Sequence, residues 1–440
     1  MKNRSEWTGR VTSLVALLAI STSIPLAGQT YHPPEDVKKE APAAQDGAAK
    51  NGAAKDGAAR TEAPRPAVTA GDIKSAIDRG ANWLVDHQNP DGSFGLVLPE
   101  GKFISDAGVT ALALHALATC PRKYREEDGP FISKAVEYIL SQKREGGGIY
   151  EEGQGLRNYK SSMALLAFAA LDEGRPVKKY ADVVTELRDY IASLQLSEDS
   201  SPAYDPEGNR RAYGGIGYGG DRRPDVSNTQ MALEALQAGD LAEDSEVFRR
   251  VQTFLARCQN RTASNDFLDG SEHRSTEDGG FFYYPGESKA ENHKNPDGSV
   301  SYTSYGSMTY AAVKSLIYSG LDKDDARVKA AVDWIRHNFT VKENPGMATP
   351  ESPARGQMGV FYYYAVMART LEVLGEPTFV DGAGISHAWA AELAAELLSR
   401  QRPDGTWTNP VDRWWEGDPA LVTAYAVQTL SICVRNLKKE

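Results

Sequence analysis

Four segments of the chain combine tyrosine or tryptophan with glycine, and two of them also carry arginine. They are RRAYGGIGYGGDRRPD (210–225), EDGGFFYYPGE (277–287), SVSYTSYGS (299–307) and TNPVDRWWEGD (408–418). Aromatic faces stack on rings and arginine contacts carboxylates, so this composition is typical of surfaces that bind rings or extended chains. The alternative is that the aromatic side chains only pack a lid of loops against the protein.

Candidate ligand-binding residues lie in these segments or at the predicted helix starts that follow loops. They are Tyr302, Tyr305, Tyr363, Trp414, Trp415, Asp225 and Asp418. Asp225 and Asp418, like Asp106, also stand where an aspartate caps a helix. A capping carboxylate would interact with the positive end of the dipole of its own helix. An enzyme acting on polysaccharides would instead use carboxylates such as Asp225 and Glu416, beside Tyr305 and Trp414.

Helical segments that recur along the chain must position these residues. The first series is amphipathic, and every member except the fifth ends in Gln. It covers 75–88, 134–142, 187–195, 251–259, 328–339 and 388–401. The second series is rich in Ala and apolar on more than one face. It covers 106–120, 158–171, 225–239, 305–320, 357–375 and 418–434.

The two series predict two layers. A helix that is apolar nearly all round must be surrounded by protein, so the Ala-rich series is the inner layer and the amphipathic series the outer one. Hairpins that repeat about every sixty residues form either an open solenoid or a closed ring. An open stack needs polar capping repeats, and the last repeat is as apolar as the others. We therefore predict an all-α fold, an α6/α6 toroid of six outer-inner helical hairpins.

Two turns between outer and inner helices share one motif, QNPDGSF at 88–94 and QRPDGTW at 401–407. In this motif Gln can bond free backbone groups at neighbouring helix ends, and Pro-Asp-Gly turns the chain. The motif resembles the QW motifs of squalene–hopene cyclase and oxidosqualene cyclase, and the resemblance extends over 73–435. The wider α/α-toroid superfamily also includes protein prenyltransferase β subunits and complement-like thioester domains.

The resemblance implies an apolar, isoprenoid ligand. Class II cyclases of this family protonate an alkene with the central Asp of a D-x-D-D motif, and the chain contains DKDD at 322–325. That string lies between an inner and an outer helix, where Asp caps the next helix and interacts with its positive end. We predict that these aspartates are structural.

The sequence lacks the residues with which the prenyltransferases bind their metal. Their zinc needs Asp, Cys and His, whereas Cys120, Cys258 and Cys433 end predicted helices without His or carboxylate at ligand spacing. His115, in an inner helix, is interpreted as a structural residue. The reactive Cys-Gly-Glu-Gln loop of the thioester domains is also missing. We expect no metal, no cofactor and free thiols.

The N-terminal residues have the pattern of an export signal. Lys2, Arg4 and Arg10 precede an apolar run that ends in small residues. We assign 1–28 to a signal peptide, 29–72 to a low-complexity linker rich in Ala and Gly, and 73–440 to the toroid. The protein is then exported, periplasmic or extracellular, and spans no membrane after cleavage. An uncleaved segment would instead be an anchor.

Acidic residues outnumber basic ones, 60 to 49, which argues against nucleic acid as a partner. The long loops after the third, fourth and fifth outer helices all lie at one end of the ring, and long loops on a rigid scaffold often carry function. We therefore expect an exported toroid protein that binds an apolar or extended small molecule at one mouth, without the catalytic motifs of the family. A terpene cyclase-like or polysaccharide-acting enzyme, and a scaffold with a protein partner, remain alternatives.

Overall fold

The computed structural model describes residues 67–98, 101–198, 200, 210–219, 223–268 and 270–437. These residues all belong to one compact unit that spans 59–440. The predicted signal peptide and nearly all of the predicted linker lie outside the described residues. Within them, no helix has the length and apolarity needed to cross a membrane.

Outer and inner α-helices alternate along the described residues, six of each kind. The outer helices are α1 (Ala70–Asp86), α3 (Pro130–Ser141), α5 (Ala181–Ser193), α7 (Glu246–Arg257), α9 (Ala326–His337) and α11 (Trp389–Arg400). The inner helices are α2 (Ala107–Thr119), α4 (Arg157–Asp172), α6 (Val226–Ala238), α8 (Gly306–Tyr318), α10 (Val360–Leu374) and α12 (Pro419–Asn436). The predicted fold class is confirmed.

Burial separates the two sets in the way their sequences predict. Every residue of α2 from Ala107 to Ala118 is buried, because this helix has protein on all sides. In α7 the buried residues keep mainly to one stripe, since the opposite face meets solvent. The first helix starts at Ala70, earlier than predicted, because Thr69 and Asp72 form a capping box.

The inner helices close into a ring. Neighbours pack in the order α2, α4, α6, α8, α10 and α12, and α12 packs in turn against α2. Across the same seam α1 packs against α12 and α11. Gly80 of α1 lies so close to the side chains of Trp407 and Val427 that an added Cβ would come within 2.9 Å and 3.0 Å of them. The first and last repeats are therefore in direct contact.

Four glutamines that end outer helices repeat one hydrogen-bond pattern, and we call them the bracket glutamines. They are Gln88, Gln195, Gln259 and Gln401. Each donates its side-chain amide to a glycine carbonyl in its own turn and to a carbonyl near the start of the next outer helix, at 2.8–3.0 Å. For Gln401 the second acceptor is Ala76 of α1, so this bond closes the ring. The side chain of Gln142 departs from the pattern and donates to Ser141.

Short strands and 3-10 turns occupy the connections. β1 (Gly95–Val97) pairs antiparallel with β2 (Phe103–Ser105), and β6 (Phe379–Val380) with β7 (Ser386–His387). Between α7 and α8, β3 (His273–Arg274), β4 (Asn292–Lys294) and β5 (Val300–Tyr302) form a sheet in the order β3-β5-β4. The 3-10 turns are Glu126–Asp128, Arg210–Ala212, Thr262–Ser264 and Pro353–Gln357. The hairpin at 375–388 joins an inner helix to an outer one, so the inner-to-outer connections are not all short.

The residues considered for family chemistry have structural roles. Asp325 is the N-cap of α9, where its carboxylate accepts the Arg327 amide at 2.8 Å, which confirms the capping interpretation. Cys120, Cys258 and Cys433 are buried and unpaired. His115 is buried, and burial, reinforced by the positive charge of Arg369, lowers its pKa to about 4.

Candidate functional site

A cavity of about 200 Å³ opens at the end of the ring where the inner helices begin, and we call it the mouth pocket. Every inner helix of the described region contributes a residue to its wall, and that residue lies three positions after the helix N-cap. These residues are Val109, Tyr159, Asn228, Met308, Tyr362 and Leu421. The shared position follows from helix geometry, because equivalent residues of helices related by a ring rotation face the same axis.

Aromatic side chains form a large part of the pocket wall. Among the described residues, the aromatic lining consists of Tyr159, Tyr218, Tyr283, Tyr305, Tyr362, Tyr425, Trp414 and Trp415. Trp414, Trp415 and Tyr218 are also 42%, 37% and 40% exposed, so they extend the aromatic surface from the pocket onto the rim. Such walls suit a ring that stacks on flat faces and hydrogen-bonds to hydroxyl groups.

Two of these tyrosines differ in how their hydroxyl groups are used. Tyr362 bonds with the Ser227 hydroxyl at 2.9 Å and accepts the Gln230 amide at 3.1 Å. The buried hydroxyl of Tyr159 makes no hydrogen bond of good geometry among the described residues, although the Tyr425 hydroxyl lies beside it and interacts with it. A buried hydroxyl that is poorly bonded costs free energy, so a ligand that hydrogen-bonds to Tyr159 would be favoured.

Glu416 places a carboxyl group in the pocket wall and is only 1% exposed. Its Oε1 accepts the backbone amide of Tyr362 at 2.8 Å, and its Oε2 accepts the Asn409 amide at 2.7 Å. The carboxylate thus caps α10, whose own N-cap, Gly359, has no side chain. Burial raises the pKa of Glu416 to about 7, although its hydrogen-bond donors act in the opposite direction.

A second buried charge cluster lies behind the wall, on α4 and beside α2. The ammonium group of Lys160, which is fully buried, contacts Asp106 at 2.8 Å and Glu151 at 2.5 Å. Asp106 lines the pocket and caps α2 by accepting the Val109 amide at 2.9 Å. This carboxylate is thus held by an ion pair and a helix cap, which fixes its position.

Backbone strain is concentrated at the mouth pocket. Leu156, Trp414 and Trp415 have left-handed backbones, with φ of 56°, 58° and 66°, and all three line the pocket. Bulky residues rarely adopt this conformation, and strained residues cluster at sites where function constrains the backbone. The Trp414 ring also lies against Gly359, where an added Cβ would come within 3.0 Å of it.

The structure brings three of the predicted site residues together in the pocket wall, namely Tyr305, Trp414 and Trp415. Asp225 and Asp418 lie nearby but act as caps: Asp225 accepts the Asn228 amide at 2.8 Å, and Asp418 accepts the Leu421 amide at 3.0 Å. They are absent from the described lining of the pocket.

Tyr302 and Tyr363, which were also predicted at the entrance, lie outside the described lining of the pocket. Tyr302 is buried against Leu268 and Phe282 in the loop region. The hydroxyl of Tyr363 donates to the Thr340 carbonyl at 2.7 Å, on the side of α10 away from the axis. One residue turns a helix by about 100°, so Tyr362 rather than Tyr363 faces the lumen.

Sequence reasoning missed several residues of the wall. They are Tyr159, Tyr218, Tyr283, Tyr362, Tyr425, Lys289 and Lys160 behind it. Counting three residues from the N-cap finds Tyr159 and Tyr362 only with the observed N-caps Leu156 and Gly359, because the predicted helices start at 158 and 357. Lys160, a lysine in an apolar inner helix, was an available signal, because buried lysines are rare unless they are paired.

Below the pocket, polar side chains narrow the lumen to a space of about 40 Å³. Glu234 of α6 bonds with the ammonium group of Lys314 and lies 3.2 Å from the Arg369 guanidinium. His115 and Gln428 line the same level. Within the described residues, the lumen below the pocket is therefore narrow, and polar and apolar side chains line it together.

The residues present offer no evident metal centre. Within the ranges that the structure describes, no three or more His, Cys, Asp or Glu side chains are grouped so that they could hold a metal ion. The chemistry that this geometry can support is stacking on a ring, hydrogen bonding, and protonation by a buried carboxyl group.

No protein-family model and no curated protein matches this chain. Several solved structures are similar. The type II terpene cyclase MstE from Scytonema is 18% identical, with 84% of this chain and 100% of that chain covered and a TM-score of 0.48. An unsaturated glucuronyl hydrolase specific for heparin is 11% identical, covering 83% and 98%, with a TM-score of 0.49. A possible member of the GH105 family from Salmonella enterica is 12% identical, covering 85% and 97%, with a TM-score of 0.47. These likenesses assign no activity to the chain.

Proposed function

We propose that this protein is an exported binding protein whose mouth pocket holds one ring of a small or extended ligand. The observation that supports this function is the wall of the mouth pocket, to which every described inner helix contributes a residue and which contains eight aromatic side chains. The pocket, at about 200 Å³, is smaller than the roughly 300–1,000 Å³ of sites that enclose a drug-sized ligand. Its volume suits a single ring with short substituents.

The rest of the ligand would lie outside the pocket. The polar layer of Glu234, Lys314 and Arg369 blocks the way toward the other end of the ring. In the opposite direction, the partly exposed rings of Trp414, Trp415 and Tyr218 continue the aromatic surface. An extended ligand would therefore place its terminal ring in the pocket and its next unit on the rim. A long isoprenoid chain buried along the axis fits this lumen less well.

A set of single-ring probes tests the binding function. Benzyl alcohol, cyclohexanol and methyl glucoside are compared by ligand-observed NMR on the wild type and on Trp414→Ala. Loss of an aromatic anchor at a binding site costs about 2 kcal/mol or more, so we expect about thirtyfold weaker binding of the preferred probe. Trp83→Ala is the matched control, since Trp83 stacks on His87 on an outer helix. Equal losses of probe affinity in both variants, or no binding of any probe, would contradict the proposed binding function.

Tyr159→Phe provides a finer test, because it removes only a hydroxyl group that interacts weakly with Tyr425 and makes no hydrogen bond of good geometry among the described residues. We expect its melting temperature to equal that of the wild type, and its affinity for hydroxyl-bearing probes to fall. Tyr124→Phe, in a connection at the opposite end of the ring, is the control. Unchanged affinity in Tyr159→Phe would show that the ligand does not reach this wall.

A second candidate function is acid catalysis by Glu416. A carboxyl group with a pKa of about 7 is partly protonated at neutral pH, as a general acid requires. Glycoside chemistry would need a second carboxylate about 5–10 Å away, and Asp106 is the other carboxylate in the pocket wall. If Glu416→Gln bound the probes normally but abolished turnover of a co-purifying compound, the enzyme would replace the binding protein as the function.

A further inference from the structure

Lys289 brings a positive charge to the wall of the mouth pocket. Its ammonium group lies 4.5 Å from the centre of the Tyr283 ring and contacts the Glu287 carboxylate. The backbone at this point is held by the Arg355 guanidinium, which donates to the carbonyls of Lys289 and Ala290. The ammonium group of Lys289 is therefore held beside the face of the Tyr283 ring. One edge of a ligand ring bound in the pocket would lie next to this ammonium group.

Two arginines add positive charge near Lys289. The Arg223 guanidinium contacts Glu287, so this one carboxylate serves two cations. In the described part of the chain, the Arg413 guanidinium makes no ion pair or hydrogen bond and lies 5.4 Å from the Trp414 ring centre. Burial, followed by the charge of Arg223, lowers the pKa of Lys289; Arg413 adds to this effect and Asp225 opposes it. The surroundings thus disfavour a further cation at this point.

The carboxylates of the pocket and rim already have partners of their own. Asp106 is paired with Lys160, and Glu416 accepts the Tyr362 and Asn409 amides. Asp225 accepts the Asn228 amides, and Asp412 accepts the Gly417 amide at 2.8 Å. Glu287 contacts Lys289 directly, and Asp225 also lies near enough to act on the charge of Lys289. An anion beside Lys289 would relieve the repulsion among the cations and meet donors from Lys289 and Arg413.

We propose that the ligand of the mouth pocket carries an anionic group next to its ring, and that Lys289 and Arg413 bind this group at the rim. This inference rests on the proposed binding function and specifies the ligand as a ring-bearing acid. A carboxylate and a phosphate share the chemistry that these two side chains recognise.

Matched acids and neutral analogues test this specificity. The probes are benzoate with benzamide, cyclohexanecarboxylate with its amide, and glucuronate with glucose, each titrated by ligand-observed NMR against the full chain. Phenyl phosphate is added as the phosphate arm, and its affinity relative to benzoate identifies the preferred anion. We expect the acid of the preferred ring to bind about tenfold more tightly than its neutral analogue.

Charge variants assign the preference to the rim. Lys289→Gln and Arg413→Gln should each weaken the acid several-fold more than its neutral analogue, whereas Lys289→Arg should keep the preference. Lys123→Gln, which removes a lysine that contacts Glu173 at 3.5 Å in a connection at the other end of the ring, is the control. Melting temperatures are recorded for every variant, so that loss of folding is distinguished from loss of binding.

Two outcomes separate this inference from the proposed function. If acids and neutral analogues bind equally and Trp414→Ala weakens both, the binding function stands and the preference for anions is wrong. If neither acids nor neutral compounds bind, both proposals fail. If Lys123→Gln lowers acid binding as much as Lys289→Gln does, the effect comes from net charge, and the assignment to the rim is overturned.

Discussion

Glu416 shows how one buried carboxyl group connects the stability of the fold with the chemistry of the pocket. Its pKa in the folded protein, about 7, lies above the ordinary glutamate value of 4.5, because burial disfavours the ionised form more than its donors favour it. The folded state therefore holds this proton more tightly than the unfolded chain does. Its contribution to stability is fully present below pH 4.5 and is lost as the pH rises through about 7.

This reasoning predicts a pH dependence that Glu416→Gln removes. The difference between the two pKa values corresponds to roughly 3 kcal/mol, so the wild type should lose about that much stability relative to Glu416→Gln between pH 4.5 and 8. Guanidinium denaturation of both proteins across this range measures the difference. Glu396→Gln, which removes a buried carboxylate paired with Lys342 and Arg400 on an outer helix, is the control. A constant difference between wild type and Glu416→Gln at all pH values would contradict the prediction.

Side chains of the protein itself cap the N-termini of several inner helices. Aspartates cap α2, α6 and α12, and Glu416 caps α10 from another loop. The inner-helix dipoles at the mouth are therefore largely satisfied by the protein itself. This leaves the rim cations, rather than the helix ends, to recognise an anionic ligand. Asp325 caps the outer helix α9 in the same way at the opposite end of the ring.

The cap of α9 supplies a prediction at this scale. Asp325 accepts the Arg327 amide at 2.8 Å, while Asp324 is exposed and contacts Lys329. Asp325→Ala should cost about 1 kcal/mol of stability, because an orphan helix amide loses its acceptor. Asp324→Asn should change stability little, and neither variant should change probe binding. A selective loss of binding or of an activity in Asp324→Asn would restore the protonating role that its motif implies.

At the scale of the whole molecule, the four bracket glutamines each tie one outer helix to the next outer helix. The bonds from Gln401 to the carbonyls of Gly405 and Ala76 join the last repeat to the first. In a closed ring this seam is equivalent to the internal junctions, for example the one bridged by Gln195. In an open solenoid the same residue would have no second acceptor, so the stability of the seam reports on closure.

We predict that Gln401→Ala and Gln195→Ala lose similar amounts of stability, about 1–3 kcal/mol each, because buried carbonyls are left without donors. Gln142→Ala is the matched control, and we expect about 0.5 kcal/mol or less for it, since its amide bonds only with the adjacent Ser141. Guanidinium denaturation measures all three variants. A Gln401→Ala variant as stable as Gln142→Ala would show that the seam is not closed in solution.

Periodic and local features of this protein were readable from its sequence. The spacing of apolar residues separated outer from inner helices, and the observed bounds follow the predicted series closely. The Gln and Pro-Asp-Gly turns and the capping aspartates were also recognisable, because each depends on residues a few positions apart. The absence of polar capping repeats indicated closure, which the packing of α12 against α2 bears out.

Only the tertiary structure decided which side chains meet at the mouth. Tyr302 and Tyr363 looked equivalent to Tyr305 in sequence, but a single step along a helix or loop turns a side chain away from the axis. Lys289 and Tyr283 reach the pocket through long connections, whose paths depend on contacts between residues far apart in the chain. The size of the pocket and the polar layer beneath it likewise depend on how side chains from six helices fill one lumen together, which no single segment determines.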